Sequence, residues 1–268
     1  MKQVILISNG QLATSVVLVL IAGLVSAALR LGVLRSLAWG TLRTFLQLGL
    51  IGYALVHIFA IDHPLLVAGV VALMVSAGAH AAVGRMRHVP FRPYLVAAVS
   101  LGASTYLVGI FVCALLIGGD HWYTGRVAIP IAGMILGNTL NGVSLSLDRF
   151  FADVRARAPE IEQRLSLGYE RWEAVRPQLR AALRAGMTPT LNALMIVGVV
   201  SLPGMMTGQI LAGVDPLTAA RYQIVVMMMV AASVTLGSLT LVLLSYRRCF
   251  TSDQALRPEL LTRYEGEG

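Results

Sequence analysis

The run IVVMMMVAASVTLGSLTLVLL, from Ile224 to Leu244, contains no charged residue. Its length matches the roughly 20 apolar residues that a helix needs to cross the hydrocarbon core of a bilayer. Further runs approach or reach the same length at Leu12–Leu29, Pro64–Val83, Tyr94–Ile117 and Val127–Leu147. The chain is therefore predicted to be a polytopic membrane protein.

The composition supports this class. Hydrophobic residues make up 57% of the 268 residues and charged residues only 13%, whereas soluble domains average roughly 25% charged residues. A large core does not explain the shortage, since a soluble protein must still cover its surface. The net charge of +8 comes from basic residues clustered between the apolar runs, and no recognition module is present, so we expect no nucleic-acid partner.

The chain is predicted to form a single all-α transmembrane domain over residues 1–268, with about seven membrane helices. The predicted spans are 12–29, 37–60, 64–84, 94–117, 127–147, 187–212 and 222–246. Seventeen basic residues fall in the segments on one side of this arrangement and three on the other. Because basic loops stay in the cytoplasm, the N-terminus is predicted outside the inner (cytoplasmic) membrane and the C-terminus inside the cell.

The segment 148–186 differs from the spans, because its apolar residues recur mostly every three or four positions among many charges. This period is typical of an amphipathic helix, and Gly168 and Pro177 are expected to divide the segment into two or three helices. A helical cytoplasmic projection is predicted. It either lies on the bilayer surface, as its arginines favour, or docks a cytoplasmic subunit, as its acidic residues favour.

Polar residues inside the fifth predicted span are candidates for a substrate pathway. Met134, Asn138 and Asn141 share one face of a helix. Small residues beside them would let another helix approach closely: Gly133, Gly137 and Gly142. Two interpretations stay open at this point. The amides form hydrogen bonds between packed helices, or they line the path of a substrate.

The sixth predicted span is too long for one straight helix. From Met187 to Gly213 a helix would measure about 40 Å, against a hydrocarbon core of about 30 Å. A break is expected at Pro203 and Gly204, because proline removes a helical hydrogen bond and glycine relaxes the backbone. Candidate hinge or gate residues are Ser201, Pro203, Gly204, Met205 and Met206.

No catalytic constellation is visible in the sequence. The glycine-rich phosphate loop with its lysine is absent, so this chain is not expected to bind ATP by that route. No acid, base and nucleophile form a cluster that would suggest a membrane-embedded enzyme. The three consecutive residues Met227–Met229 point in different directions around a helix and cannot converge on one soft metal ion, so the metal-binding residues are unknown.

Five short motifs occur in order along the second half of the chain. They are IPIAGMILGN at 129–138, LSLG at 165–168, VSLPGMMTG at 200–208, AGVDP at 212–216 and YQI at 222–224. Together they resemble the FetB-like permease family of ABC transporters, which includes bacterial permeases assigned to iron export and plant aluminium-tolerance permeases. The resemblance extends over essentially the whole chain.

The resemblance implies a permease that works as a homodimer with a separate cytoplasmic ATP-binding subunit. ATP and Mg would be bound by that partner and no cofactor by this chain. Glu162 and Gly168 match the start of the coupling pattern E-A-A-x-x-x-G, although Gln163 and Arg164 replace the alanines. The implied coupling residues are Glu162, Leu165, Gly168 and Trp172, with Trp172 as an apolar anchor.

For function, the resemblance implies an ABC permease that exports a metal ion such as iron. One alternative is an ABC permease for a nucleotide sugar. The other is a stand-alone secondary transporter, which would need no ATPase and would be expected to contain internal repeats. No clear repeat is evident in the sequence. ATP hydrolysis is expected in the partner, and this chain is not expected to be an enzyme.

Overall fold

The computed structural model describes residues 8–61, 63–84, 89, 93–117, 123–251, 255–257 and 260. Within these ranges the regular structure is helical, and the only β pairings are two isolated bridges. Six helical segments of the described chain are long and apolar enough to cross a membrane. The prediction of an all-α polytopic membrane protein is confirmed.

The helices of the described ranges are numbered here in chain order. They are α1 Asn9–Thr14, α2 Val16–Ala28, α3 Leu34–Ile61, α4 Pro64–Val83, α5 Tyr94–Phe111, α6 Gly125–Ala156, α7 Ala158–Ser166, α8 Arg171–Ile196, α9 Gly204–Leu211 and α10 Pro216–Tyr246. A π-helical turn, Val112–Ile117, continues α5.

The chain forms two compact units. Unit 1 comprises Met1–Asp62 with Gly204–Ala219, and unit 2 comprises His63–Pro203 with Ala220–Gly268. In unit 1, Ser8 and Gln11 form a capping box that begins α1, because each side chain satisfies a backbone N–H left free at a helix start. A tight turn with positive φ at Arg30 and Gly32 reverses the chain, so that α2 packs against α3.

Unit 2 is built around α6, which packs against α4, α5 and α8. The largest fully buried side chains of this helix are Phe150, Phe151, Ile135 and Leu147. The buried face of α6 continues beyond its uncharged stretch, so the core of unit 2 extends past that stretch.

Two details of the predicted helices are corrected. Pro177 does not break the amphipathic segment, since α8 runs without interruption through both Pro177 and Pro189. The hydrogen bond lost at a proline is local, and on either side of Pro177 the helix is held by buried Val175 and Leu179. The fifth span is also longer than predicted, because α6 ends only at Ala156.

The predicted sixth span is not a single helix. Its first part is the end of α8, which stops at Ile196, and its last part is the eight-residue α9. The interruption predicted from the sequence is present, although it begins before Pro203. Residues 197–203 are not helical.

Candidate substrate pathway and coupling surface

The polar face of α6 lies at mid-depth of the predicted span. No charged residue occurs between Arg126 and Asp148, and Asn138 is about 18 Å from the first and about 15 Å from the second at the helical rise. Asn138 and Asn141 are exposed and Met134 is half-buried. The Asn138 amide donates one hydrogen bond, at 2.8 Å, to the carbonyl oxygen of Met134. The structure therefore brings the three predicted pathway residues together on an uncovered face.

The opposite side of α6 carries a buried row of hydroxyl groups. Thr139 and Ser146 are fully buried. Their hydroxyls have no hydrogen-bond partner among the described residues, and neither does that of Ser238 on α10. The sequence signal for this row is the three- and four-residue spacing of small residues at 139, 142 and 146, which sequence reasoning used only in part.

Glycines make the close packing along this row possible. A Cβ atom placed on Gly142 would stand 2.6 Å from the Cγ1 atom of Val234 and 3.1 Å from the carbonyl oxygen of Gly186. A Cβ atom on Gly186 would overlap the hydroxyl of Ser146, and one on Gly237 would overlap the methyl group of Thr139. Contacts this short leave no room for a side chain on these glycines, so α6 and α8 meet backbone to backbone at Gly142 and Gly186, and α6 and α10 meet where glycine faces a side chain.

The other two glycines predicted to sit at a helix contact behave differently. A Cβ atom on Gly133 would be in ordinary contact with Met74 at 3.5 Å, and one on Gly137 would meet nothing within 4 Å. Of the three glycines predicted at a helix contact, Gly142 is therefore the one that close packing requires. Gly137 belongs to the same uncovered face as Asn138.

The interruption after α8 is a defined turn. The backbone N–H of Val200 donates to the carbonyl oxygen of Ile196, and that of Gly198 donates to the carbonyl oxygen of Ser201, both at 2.9 Å. Gly198 has φ +84°, a conformation that residues with a side chain rarely adopt. The apolar side chains of this turn are exposed, with Val199 at 89%.

The predicted hinge residues lie at the end of this turn and in the first turn of α9. Ser201 and Gly204 are exposed, and Pro203, Met205 and Met206 are half-buried. The first segment of unit 2 ends at Pro203 and the second segment of unit 1 begins at Gly204. A role as hinge or gate stays a prediction.

The predicted coupling residues surround the turn between α7 and α8. The N–H of Tyr169 donates to the carbonyl oxygen of Arg164, at 3.1 Å, and the N–H of Gly168 to that of Leu165, at 3.0 Å. These two bonds and the φ of +90° at Gly168 define a Schellman motif, the usual way for glycine to end a helix. The prediction that Gly168 forms a turn is confirmed.

The other coupling residues differ in exposure. Leu165 and Glu162 are half-buried, and Leu165 packs against the core of unit 2. Trp172 is 38% exposed. The rest of its side chain is covered, in part by Tyr246, whose ring packs edge-on against it with centroids 5.5 Å apart. Trp172 therefore ties α8 to the end of α10 as well as presenting a surface.

Two further exposed residues lie between the predicted coupling residues Leu165 and Trp172, and the sequence did not single them out. Leu167 is 71% exposed and Tyr169 is 50% exposed, and both lie outside the uncharged stretches of α6 and α8. A group of exposed apolar side chains close together outside the lipid is a candidate contact surface for another protein. The signal was their position on either side of the turn-forming Gly168.

The described residues contain no group of three histidine, cysteine or carboxylate side chains that could hold a metal ion. His57 accompanies Tyr53 on α3, with ring centroids 4.7 Å apart, and His63 caps the start of α4. The metal-binding residues therefore stay unknown.

Comparison with known proteins places the chain in a family. The model described as "Uncharacterised protein family (UPF0014)" matches residues 9–250. The chain belongs to the UPF0014 family. "UPF0014 membrane protein slr1647" of Synechocystis sp. is 39% identical over 221 residues, which cover 82% of this chain and 85% of that protein. No solved structure gives a significant match.

Two further relatives of this UPF0014 chain have more specific names. The "Probable iron export permease protein FetB" of Escherichia coli is 32% identical over 252 residues, or 93% of this chain and 95% of that one. "Protein ALUMINUM SENSITIVE 3" of Arabidopsis thaliana is 33% identical over 250 residues, or 93% and 90%. The family resemblance inferred from the motifs is confirmed, and the chain is a multi-pass membrane protein.

Proposed function

We propose that this UPF0014 chain is the membrane-spanning subunit of an ABC transporter that exports a metal ion such as iron. A relative that is 32% identical over nearly its whole length carries the name of an iron export permease. The sequence lacks a phosphate-binding loop, so ATP would be hydrolysed, with Mg, in a separate cytoplasmic subunit. The membrane would be the inner membrane, with the N-terminus outside and the C-terminus in the cytoplasm.

The observation that carries the proposal is the uncovered amide face at mid-membrane. An amide that faces hydrocarbon lacks partners, and such groups in membrane helices usually face protein or a water-filled path. Asn138 is exposed and satisfies only one of its two N–H donors within its own helix. A second copy of the permease would cover this face, so that Met134, Asn138 and Asn141 line a path between the two copies.

Cysteine cross-linking tests this arrangement. In a two-fold dimer each residue near the axis meets its own counterpart, so Asn138→Cys in native membranes should form a dimer with a membrane-permeant oxidant. Leu107→Cys is the matched control, because Leu107 is an apolar residue of α5 that is 65% exposed. Both native cysteines are buried. Equal cross-linking of the two variants would contradict a path between copies.

Transport in vesicles tests the substrate and the energy source. The permease co-expressed with its candidate ATPase should move ferrous iron only when ATP is present. Transport of a nucleotide sugar and not of iron would show that the proposed substrate is wrong and that the permease carries nucleotide sugars. Transport that persists without any ATPase would show a secondary transporter and would contradict the ABC assignment.

The turn between α7 and α8 is the proposed contact for the ATPase. Its exposed apolar side chains, Leu167, Tyr169 and Trp172, lie within six residues of one another, and the Schellman motif at Gly168 fixes their direction. Co-purification in detergent is the direct measurement. A permease that is folded and yet recovers no ATPase under any nucleotide condition would contradict this role.

A further inference from the structure

Unit 2 contains an open groove of about 1020 Å³ that shares only Tyr169 with the proposed ATPase contact. Five arginines line it, and we call it the arginine groove. They are Arg149 on α6, Arg164 on α7, and Arg176, Arg180 and Arg184 on α8. The α8 arginines are spaced by four residues and therefore share one face of that helix.

The charges of the groove are only partly compensated. The Nε atom of Arg149 lies 2.9 Å from an Asp153 carboxylate oxygen, and Arg164 lies 2.7 Å from Glu160. The three α8 arginines make no ion pair with any residue that the structure describes, and all three are exposed. Glu173 is the one carboxylate in the lining, three residues before Arg176 and farthest from Arg184 along α8. The excess positive charge is therefore greatest at the Arg180–Arg184 end.

The lengths of the uncharged stretches put this end of the groove at the expected level of the lipid headgroups. The uncharged stretch 127–147 of α6 is about 32 Å long, which fills a hydrocarbon core of about 30 Å. Arg149 follows this stretch, and on α8 no charged residue follows Arg184 up to Ile196. Ser146 and Gly186 touch, and from that contact Arg149 and Arg184 are about 4.5 Å and 3 Å further along their helix axes.

We propose that the arginine groove binds the phosphate of an anionic phospholipid, held by Arg180 and Arg184 with support from Arg149. A guanidinium group can donate two parallel N–H hydrogen bonds to the oxygens of one phosphate. Basic pockets between membrane helices suit anionic headgroups. The apolar side chains of Ala181, Leu183 and Ala185, also in the lining, adjoin the part of the groove that would receive the glycerol and acyl chains. The site needs only the membrane location and does not depend on the transport substrate or the ATPase.

Lipid binding to the purified permease, without ATPase, tests the site. Native mass spectrometry would measure retention of phosphatidylglycerol and of phosphatidylcholine by the parent and by Arg180→Gln/Arg184→Gln. Phosphatidylglycerol retention should fall about tenfold in the variant, as expected for the loss of roughly 1.4 kcal/mol of phosphate contacts. Arg126→Gln/Arg221→Gln removes the same charge from two exposed arginines elsewhere and should retain the lipid like the parent.

A second set of measurements distinguishes a phospholipid from a soluble phosphate compound as the ligand. Glycerol 3-phosphate at millimolar concentration should not displace the lipid, because it lacks the acyl chains. If it binds the parent in phosphatidylcholine nanodiscs as tightly as phosphatidylglycerol does, the groove is a site for soluble phosphate compounds and the lipid proposal is wrong. Unchanged phosphatidylglycerol retention in the arginine variant overturns the proposal too. Should the double variant fail to fold, the single Arg180→Gln variant provides the same comparison, with a smaller expected loss.

Discussion

Helices α3 and α6 are of similar length, with 28 and 32 residues, yet they pack in opposite ways. No residue of α3 is buried, whereas 15 residues of α6 are. The mean hydropathy of the most apolar window is 1.8 for α3 and 1.3 for α6, so the less apolar helix is the more buried one. In a membrane, lipid accepts apolar side chains as readily as protein does, so hydropathy alone does not decide which helix is buried.

The glycines of the two helices show the same difference. A Cβ atom added to Gly40, Gly49 or Gly52 of α3 would meet nothing within 4 Å, whereas one added to Gly142 of α6 would collide with α10. Glycine content alone therefore does not identify a packing face in this protein. The face is identified where glycine recurs together with serine and threonine at helical spacing.

The largest effect is expected for valine at the glycine contact of α6 and α8. In Gly186→Val the new side chain would overlap Ser146, and the stability of the detergent-solubilised protein should fall by about 3 kcal/mol, the upper range for overpacking. Gly49→Val in α3 should change stability by less than about 0.5 kcal/mol. The stability of both variants is measured by heating the solubilised protein and monitoring the folded fraction by size-exclusion chromatography. Similar losses in the two variants would remove the distinction between the helices.

A second prediction concerns movement at the end of the turn that follows α8. Pro203→Ala/Gly204→Ala should favour continuous helix, insert normally and still bind the ATPase, while iron transport falls at least about tenfold, or about 1.4 kcal/mol in the barrier. Gly208→Ala in α9 is the control, since a Cβ there meets no atom within 4 Å. Parental transport by the double variant would make the interruption a packing feature.

A third prediction concerns the exposed apolar residues near the turn between α7 and α8, which, unlike those of α3, are expected to bind a protein and not lipid. Leu167→Ser and Trp172→Ala should each weaken ATPase binding about tenfold, because truncated interface anchors typically lose 1–2 kcal/mol or more. Ser166→Ala changes a neighbouring exposed hydroxyl and should bind like the parent. Binding in detergent, by surface plasmon resonance, provides the measurement. An unchanged affinity of Leu167→Ser would show that the turn faces away from the partner.

The smallest effect compares one methyl group in each helix. Ile135→Val in α6 removes a methyl group from a fully buried side chain and should lower stability by about 1 kcal/mol. Ile51→Val in α3 removes it from a side chain that is 44% exposed, and no measurable change is expected. Loss of the same stability from both would show that α3 is covered in the working protein.

The sequence predicts the spans well and the packing poorly. The limits of α3 and α4 differ by three residues or fewer from those predicted. Hydropathy gives the length of each apolar helix, and Pro64 in the first turn gives the start of α4. The failure at Pro177 has a physical cause: packing of Val175 and Leu179 outweighs the local preference of proline. The exposure of Asn138 was also out of reach, since helical spacing shows which residues share a face but not whether a neighbour covers it.

The continuity of α8 through Pro177 has a mechanical consequence. Trp172, part of the proposed ATPase contact, and Ile196, just before the turn, belong to one continuous helix, with the Gly186–Ser146 contact between them. Such a contact can serve as a fulcrum, about 21 Å from one end and about 15 Å from the other at the helical rise. A tilt of about 10° around it would move the Trp172 end by about 4 Å and the Ile196 end by about 3 Å in the opposite direction. If the proposed ATPase moved the Trp172 end, the Ile196 end would move the opposite way without any change in the helix itself.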